Sequence, residues 1–207
     1  MKISVLAVVF CLSFQVFCQQ QTAAPATGTR LRYVILNDTS GRTSWPGGIP
    51  QQVDLITQFL EQVVRPGSDV GSLVNFSEEF YLDVENSTDP ERVAAKLVRQ
   101  GHHATALYKA VVLAAEWLAK QEPSDGQKVI FVFSDGDDNA SQISLQKVIG
   151  TAQGLHIPVS VIAPSVVERK SPGKNMKQLA NSTGGHAYFI RGNESLNSAA
   201  LKRDLAR

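Results

Sequence analysis

The sequence predicts an α/β fold, a Rossmann-like, doubly wound and mainly parallel sheet of about six strands flanked by helices. Short apolar runs, typical of strands covered on both faces, alternate along the chain with segments whose apolar residues recur at helical spacing. Two of these runs end abruptly in polar clusters, which begin at Asn37 and at Ser134. Ligands of such sheets bind beyond the carboxyl ends of the strands, so the clusters indicate a functional edge.

Each element is predicted from its apolar spacing and from the turn residues beside it. Strands are predicted at residues 31–36, 70–76, 80–84, 129–133, 157–163 and 187–190. Helices are predicted at 50–64 and 88–98, between His103 and Pro123 with an apolar face from Leu107 to Leu118, at 145–154 and 172–180, and from about Ser195. Thr88 begins the second helix with capping-box spacing to Glu91, and the third helix is expected to be the longest. Only Ser77-Glu78-Glu79 separates the second and third strands, which predicts a hairpin at one edge of the sheet.

The composition is that of an ordinary globular domain with little charge bias. The chain has 207 residues, of which 43% are hydrophobic and 19% are charged, enough to bury a full core. Its 20 Lys+Arg and 19 Asp+Glu give a formal net charge of +1, and the sequence contains no basic stripe. Nucleic acid is therefore not a predicted partner.

The first 18 residues are predicted to be a signal peptide. Lys2 precedes an apolar stretch from Ile3 to Phe17, and polar glutamines follow it at once. This stretch is short for a membrane span, so we expect cleavage before Gln19. A flexible lead-in is expected over residues 19–29.

Removal of residues 1–18 has consequences for the mature protein. Both cysteines of the chain, Cys11 and Cys18, lie in the predicted signal peptide. The mature protein would have no disulfide and no stable membrane span, and one domain is predicted over residues 30–207. We expect this domain to be exported, to the periplasm or outside the cell.

A candidate metal site is predicted at the polar clusters. Asp38, Ser40, Thr105 and Asp135 each fall at a strand end or a helix start on the same predicted edge. Their carboxylates and hydroxyls are hard oxygen donors, which suit Mg²⁺ or Mn²⁺. Asp residues in these positions also commonly cap helices, and that reading is the alternative for each Asp taken singly.

These segments resemble the motifs of the von Willebrand factor type A (VWA) domain, in particular those of bacterial secreted VWFA-related proteins. The segments, in family order, are Asp38-Thr39-Ser40-Gly41, Ala104-Thr105-Ala106-Leu107-Tyr108, Phe133-Ser134-Asp135-Gly136-Asp137-Asp138-Asn139 and Ala180-Asn181-Ser182-Thr183-Gly184-Gly185. The resemblance implies the VWA fold, a metal-ion-dependent adhesion site (MIDAS) and a role in protein–protein or matrix interaction.

One position departs from the family pattern. Arg42 stands where the loop of the family carries a second serine ligand. Either the arginine swings outward and leaves a weaker metal site, helped by Thr43 or Ser44, or its guanidinium lies between Asp38 and Asp135 and replaces the cation.

The predicted partner is a protein that offers an acidic side chain. The resemblance implies that a carboxylate of the partner completes the metal shell, and without metal Arg42 itself could pair with that acid. The residues predicted to contact the partner are Arg42, Thr43 and Asp137.

Catalysis is not predicted, because the chain has no nucleophile elbow, phosphate-binding loop or zinc-protease helix. A metal-assisted hydrolase that uses Asp38 and Asp135 is one alternative, but it needs a general base. The histidines His102, His103, His156 and His186 have no evident orienting partner in the sequence. A structural module with a dead metal site is the other alternative.

Overall fold

The computed structural model describes residues 29–41, 43–98, 104–122 and 126–206. These ranges contain the strands β1 Leu31–Asp38, β2 Val70–Phe76, β3 Phe80–Ser87, β4 Gln127–Phe133, β5 Val159–Pro164 and β6 Ala187–Ile190. The α-helices within them are α1 Gly48–Gln62, α2 Pro90–Ala94, α3 Leu107–Ala119, α4 Leu145–Gly154, α5 Ser171–Thr183 and α6 Ser198–Leu205.

The strands form one mixed, mostly parallel sheet in the order β3-β2-β1-β4-β5-β6. Only the β2–β3 pair is antiparallel, and it forms the predicted edge hairpin. β1 lies between β2 and β4, with Asn37 opposite both Asn75 and Phe133. The sheet order reverses direction between β1 and β4, which is the point where α/β sheets open a crevice for ligands. The predicted fold class is confirmed.

The sheet is covered on both faces, which explains why its central strands are apolar throughout. Alternate residues of β1 point to opposite faces: Tyr33 and Ile35 pack in one apolar cluster, and Val34 and Leu36 pack in the other. Helices α1, α2 and α6 contribute to the first cluster, and α3, α4 and α5 contribute to the second. Both faces of β1 and β4 are therefore removed from water.

The predicted second helix is shorter than expected, and its cap is a different residue. α2 ends at Ala94, and its N-cap is Asp89, whose side chain accepts a hydrogen bond from Glu91 N at 2.9 Å. The prediction that Thr88 caps this helix was wrong. The backbone of residues 96–98 bonds to buried asparagine side chains of the sheet, which draws the chain out of the helix after Ala94.

The longest helix in the described ranges is also not the predicted one. α3 has 13 residues, whereas α1 has 15. Several sequence predictions lie outside the described residues: the signal peptide, the lead-in up to residue 28, Arg42, and the histidines His102 and His103. Among the helices of the described ranges, none combines the length and the hydropathy that a membrane crossing requires.

Candidate functional site

Asp38, the last residue of β1, is a buried carboxylate held in one orientation. Only 4% of its surface is exposed. Its Oδ1 accepts a hydrogen bond from Ser40 N at 2.9 Å, and its Oδ2 accepts one from Ser134 Oγ at 2.5 Å. The Gln52 side chain of α1 donates to the backbone oxygen of Asp38 at 2.8 Å. Both the main chain and the side chain of Asp38 are thus fixed by residues from three segments.

Asp135 follows β4 and joins its loop to the loop after β1. It is 6% exposed, and its Oδ2 accepts a hydrogen bond from Ser44 N at 2.6 Å. Its Oδ1 accepts a longer bond from Asp137 N at 3.3 Å. Gly136 next to it has φ +80°, and a Cβ there would collide with Met176. The turn after Asp135 therefore requires glycine on both steric and conformational grounds.

Thr105 is positioned by the loop that follows β4. Its backbone N donates to Asn139 Oδ1 at 2.9 Å, and its carbonyl accepts bonds from the N–H groups of Asn139 and Ala140, each at 3.0 Å. The N-cap residue of α3, Ala106, offers no capping side chain. The Asn139 side chain thus bonds to the segment just before α3 and not to α4, the helix that follows it in sequence.

Within the described ranges, the negative charge of the two aspartates has no compensating cation. Burial raises the pKa of Asp38 to about 6, hydrogen bonds from Ser134 and Ser40 oppose that rise, and the nearby Asp135 adds to it. Among the described residues, no lysine or arginine forms an ion pair with either carboxylate. A buried, ionised carboxylate without a cationic partner is costly, so a bound cation would lower the free energy of this site.

The donor set fits a hard divalent cation better than a soft one. Within the described ranges, no group of three His, Cys, Asp or Glu side chains comes together to hold a metal. A metal at Asp38 and Asp135 would therefore have to complete its shell with hydroxyl oxygens and water. Ser40, Thr105 and Ser134 are buried hydroxyl residues at this edge, and Ser40 and Thr105 are the two that the sequence predicts as ligands.

An open pocket of about 250 Å³ lies against the Asp135 side of the site. It is lined by Thr43, Ser44, Asp135, Asp137, Val167, Lys170 and Pro172. Two of the three predicted partner contacts, Thr43 and Asp137, thus border one concave surface next to Asp135. The third, Arg42, lies outside the described residues.

The histidines of the described ranges do not serve this site. His186 does have an acidic neighbour, because its Nδ1 lies 4.0 Å from Asp204 Oδ2, which the sequence did not reveal. His186 directly precedes β6, at the amino edge of the sheet, whereas β1 ends at the opposite edge.

Three supporting residues were missed by the sequence analysis: Ser134, Gln52 and Asn139. A signal existed for Gln52, because it occupies a fully buried position among Ile49, Val53 and Ile56 on the apolar face of α1. A polar residue inside an apolar stripe normally has a buried hydrogen-bonding partner. Asn139 had no such signal, since its partner Thr105 is 34 residues away.

The fold resembles solved structures at low sequence identity. The conserved hypothetical protein BatB from Bacteroides thetaiotaomicron gives a TM-score of 0.63 at 15% identity, with 84% of this chain and 96% of that chain covered. A von Willebrand factor type A protein from Catenulispora acidiphila gives 0.58 at 16% identity, with 86% and 41% covered. Proximal thread matrix protein 1 from the mussel byssus, with a zinc-occupied MIDAS motif, gives 0.61 at 14% identity, with 86% and 48% covered.

Identities this low establish the fold alone, and the family follows from the sequence profile. No curated protein sequence matches the chain significantly. The profile of the von Willebrand factor type A domain matches residues 34–201, which include Asp38, Ser40, Thr105 and Asp135. The chain belongs to the von Willebrand factor type A domain family.

Proposed function

We propose that this chain is an exported binding module that captures an acidic side chain of a protein partner through a divalent cation. The cation would be Mg²⁺ or Mn²⁺, held by Asp38, Ser40, Thr105 and Asp135. Domains of this family commonly mediate protein–protein interactions and are usually not enzymes. The domain is proposed to span residues 30–207, after a signal peptide over residues 1–18.

The observation that carries the proposal is the pair of buried carboxylates, which have no cationic partner among the residues that the structure describes. Asp38 is held by Ser40 and Ser134, Asp135 is held by Ser44, and the two lie at the carboxyl ends of adjacent strands. This preorganisation costs free energy unless a cation is bound. A divalent ion would supply Lewis acidity toward a carboxylate that enters from the solvent side.

The open pocket beside Asp135 would receive the part of the partner that carries the acid. Thr43 and Asp137 border that pocket, and we propose that both contact the partner together with Arg42. Lys170 on the pocket wall adds positive charge, and no ion pair involves it within the described ranges. Because Asp135 and Asp137 line the same pocket, attraction of an anionic ligand would come mainly from the bound cation, with Lys170 adding to it.

Isothermal titration of Mg²⁺, Mn²⁺ and Zn²⁺ into the domain over residues 19–207 tests the metal site. Zn²⁺ is included because the mussel protein holds it at its MIDAS motif. We expect saturable binding of Mg²⁺ or Mn²⁺ that is lost in Asp135→Ala and kept in Asp137→Ala, the exposed aspartate two residues away. Absence of binding by all three ions would contradict the metal-dependent function, and a partner would then be recognised through the Arg42 guanidinium or another face, or the chain would be a structural module.

The role of Arg42 is tested with one substitution. Arg42→Ser restores the hydroxyl of the family pattern, so we expect tighter Mg²⁺ binding than in the wild-type domain. A matched Arg42→Lys variant keeps the charge and adds no ligand oxygen. If Arg42→Ser leaves both metal affinity and partner binding unchanged, Arg42 has no part in the site.

Export is tested separately from binding. The full chain, expressed in a bacterium, should appear in the periplasm or the medium with a mass that corresponds to a start at Gln19. A matched variant with Leu6→Arg in the apolar stretch should stay in the cell. Recovery of the wild-type chain in the cytoplasm with residue 1 still present would contradict the proposed export.

A further inference from the structure

The exposed large apolar side chains of the described ranges are concentrated at one edge of the sheet. They are Tyr81, Val98 and Val166, with exposed fractions of 53%, 37% and 50%. Tyr81 lies near the start of antiparallel β3, Val98 follows α2, and Val166 follows β5. Each lies at the carboxyl edge that carries Asp38 and Asp135. An apolar surface that borders a binding site is a candidate for contact with a partner.

Two of these side chains flank the same buried residue, Asn75 of β2. Tyr81 is the direct cross-strand neighbour of Asn75, and opposed residues of two strands project from the same face of a sheet. Val98 N donates to Asn75 Oδ1 at 3.3 Å, and Asn75 Nδ2 donates to Lys96 O at 3.0 Å. Tyr81 and Val98 thus share one surface above Asn75, which we call the Tyr81–Val98 patch.

A chain of buried amides joins this patch to the Asp38 loop. Asn37 Nδ2 donates to Asn75 Oδ1 at 2.7 Å and to Val98 O at 3.3 Å. Gln52 Nε2 donates to Asn37 Oδ1 and to Asp38 O, both at 2.8 Å. Hydrogen-bonded side chains in a buried network hold their surroundings in one arrangement. The position of Val98 is therefore fixed relative to that of Asp38.

We infer that the Tyr81–Val98 patch is a second contact for the protein partner, and this inference rests on the proposed metal-dependent function. The partner would be a peptide segment whose acidic residue reaches the cation and whose aromatic or aliphatic residue covers the patch. β3 lies two strands from β1, a distance of about 10 Å. An extended segment spans that distance in about three residues.

Charged residues also lie around the Tyr81–Val98 patch. Glu79 and Asp83 are exposed on the same hairpin, and the Tyr81 hydroxyl donates a hydrogen bond to Glu79. Lys96, two residues before Val98, is exposed as well, so the rim of the patch carries both signs of charge. The segment is therefore specified by its apolar residue, about three positions from the acid.

A peptide library tests the inference with the whole domain over residues 19–207. The probe is a phage-displayed library of peptides with a fixed central aspartate and random flanks, selected in the presence of Mg²⁺. We expect enriched peptides to carry an apolar residue about three positions from the aspartate. One enriched peptide is then synthesised, and its affinity is measured by fluorescence anisotropy.

The chain offers a matched control for the apolar contact. Val98→Ser and Tyr81→Ser should each lower the affinity for the peptide about tenfold, the size expected for an anchor residue of an interface. Val166→Ser makes the same substitution as Val98→Ser at the same sheet edge, on the other side of the site, and should weaken peptide binding much less than Val98→Ser does. Asp135→Ala should abolish binding, because it removes the cation.

The outcomes separate this inference from the proposed function. Peptides whose binding needs Mg²⁺ and the aspartate, but which bind equally to Val98→Ser, Val166→Ser and wild type, overturn the second contact alone. A library without Mg²⁺-dependent enrichment overturns the proposed function and this inference with it. Sedimentation of the wild-type domain as a dimer, and of Val98→Ser as a monomer, would assign the patch to a second copy of the chain and overturn the inference.

Discussion

Asp38 and Asp69 are both buried aspartates beside strands of the same sheet, but they lie at opposite edges and in different electrostatic surroundings. Asp69 precedes β2, at the amino edge. Its Oδ1 accepts bonds from Leu31 N at 2.9 Å and from Arg65 Nη2 at 2.6 Å, and its Oδ2 accepts one from Arg65 N at 2.8 Å. Asp38 receives hydrogen bonds from Ser40 and Ser134 but has no cationic partner among the described residues.

The difference separates a carboxylate with a structural role from one that we propose binds a cation. Asp69 holds the start of β1 and the loop after α1 together, and Arg65 also donates to Thr29 O, two residues before β1. Its charge is neutralised within the described chain. The charge of Asp38 is not neutralised by any described residue, as expected of a carboxylate that binds a cation. Four predictions test this contrast.

The largest expected effect is the loss of stability in Asp69→Ala. The substitution leaves the N–H groups of Leu31 and Arg65 without acceptors and removes the ion pair, so the free energy of unfolding should fall by about 3 kcal/mol. Urea denaturation in the presence of EDTA measures it. Asp137→Ala, at an exposed aspartate, is the control and should change stability by less than about 0.5 kcal/mol. A loss below about 1 kcal/mol for Asp69→Ala would remove the structural role assigned to this residue.

In metal-free protein, Asp38→Asn should raise the free energy of unfolding, which is the opposite of the effect of Asp69→Ala. At neutral pH the ionised carboxylate is unfavourable in its buried position, because its pKa is raised to about 6. The neutral amide should therefore raise the free energy of unfolding by about 2 kcal/mol. Urea denaturation with EDTA measures the gain, and Asp69→Asn is the matched variant, which should lose stability. A loss of stability in both variants would mean that the Asp38 carboxylate stabilises the fold, as the Asp69 carboxylate does.

The pH dependence of stability should distinguish wild type from Asp38→Asn. A folded pKa of about 6, above the usual value of 3.8, means that the folded protein binds this proton more tightly than the unfolded chain. Protonated Asp38 therefore makes its full contribution to the stability of the fold below about pH 4, and this contribution is lost as the pH rises toward 6. Unfolding free energies of both proteins in EDTA should be close at about pH 4 and differ by about 2 kcal/mol at about pH 7. A difference that does not change with pH would show that Asp38 does not titrate in this range.

The smallest expected effect concerns the support of the Asp38 edge by the loop after β4. Asn139→Ala removes the side chain that accepts from Thr105 N, so the unfolding free energy should fall by about 1 kcal/mol. The same urea experiment measures the loss. Asn181→Ala, at an exposed helical position, is the control. Equal stabilities of the two variants would mean that Asn139 does not cap α3 in solution.

Much of this site was predictable from local sequence because strand ends are visible as abrupt changes from apolar to polar residues. Asp38 and Asp135 both follow continuous apolar runs, and parallel strands bring their carboxyl ends to one edge. The cap of α2 was misassigned because Thr88 and Asp89 are adjacent and both are good caps. Asp69 and its ion pair with Arg65 escaped notice because a turn containing Arg-Pro-Gly reads as a solvated loop.

The sequence by itself determined the fold class and the order of the elements, because apolar periodicity is a local property. Strand-end polarity, also local, predicts the four oxygen donors of the proposed site. Only the tertiary structure decided which charges are compensated. Asn139 serves Thr105, Asn37 bonds to Asn75, and Gln52 holds Asp38 through contacts between residues that are distant in sequence. Such pairings depend on how strands and helices pack, since the free energy of a buried polar group is set by its neighbours in space.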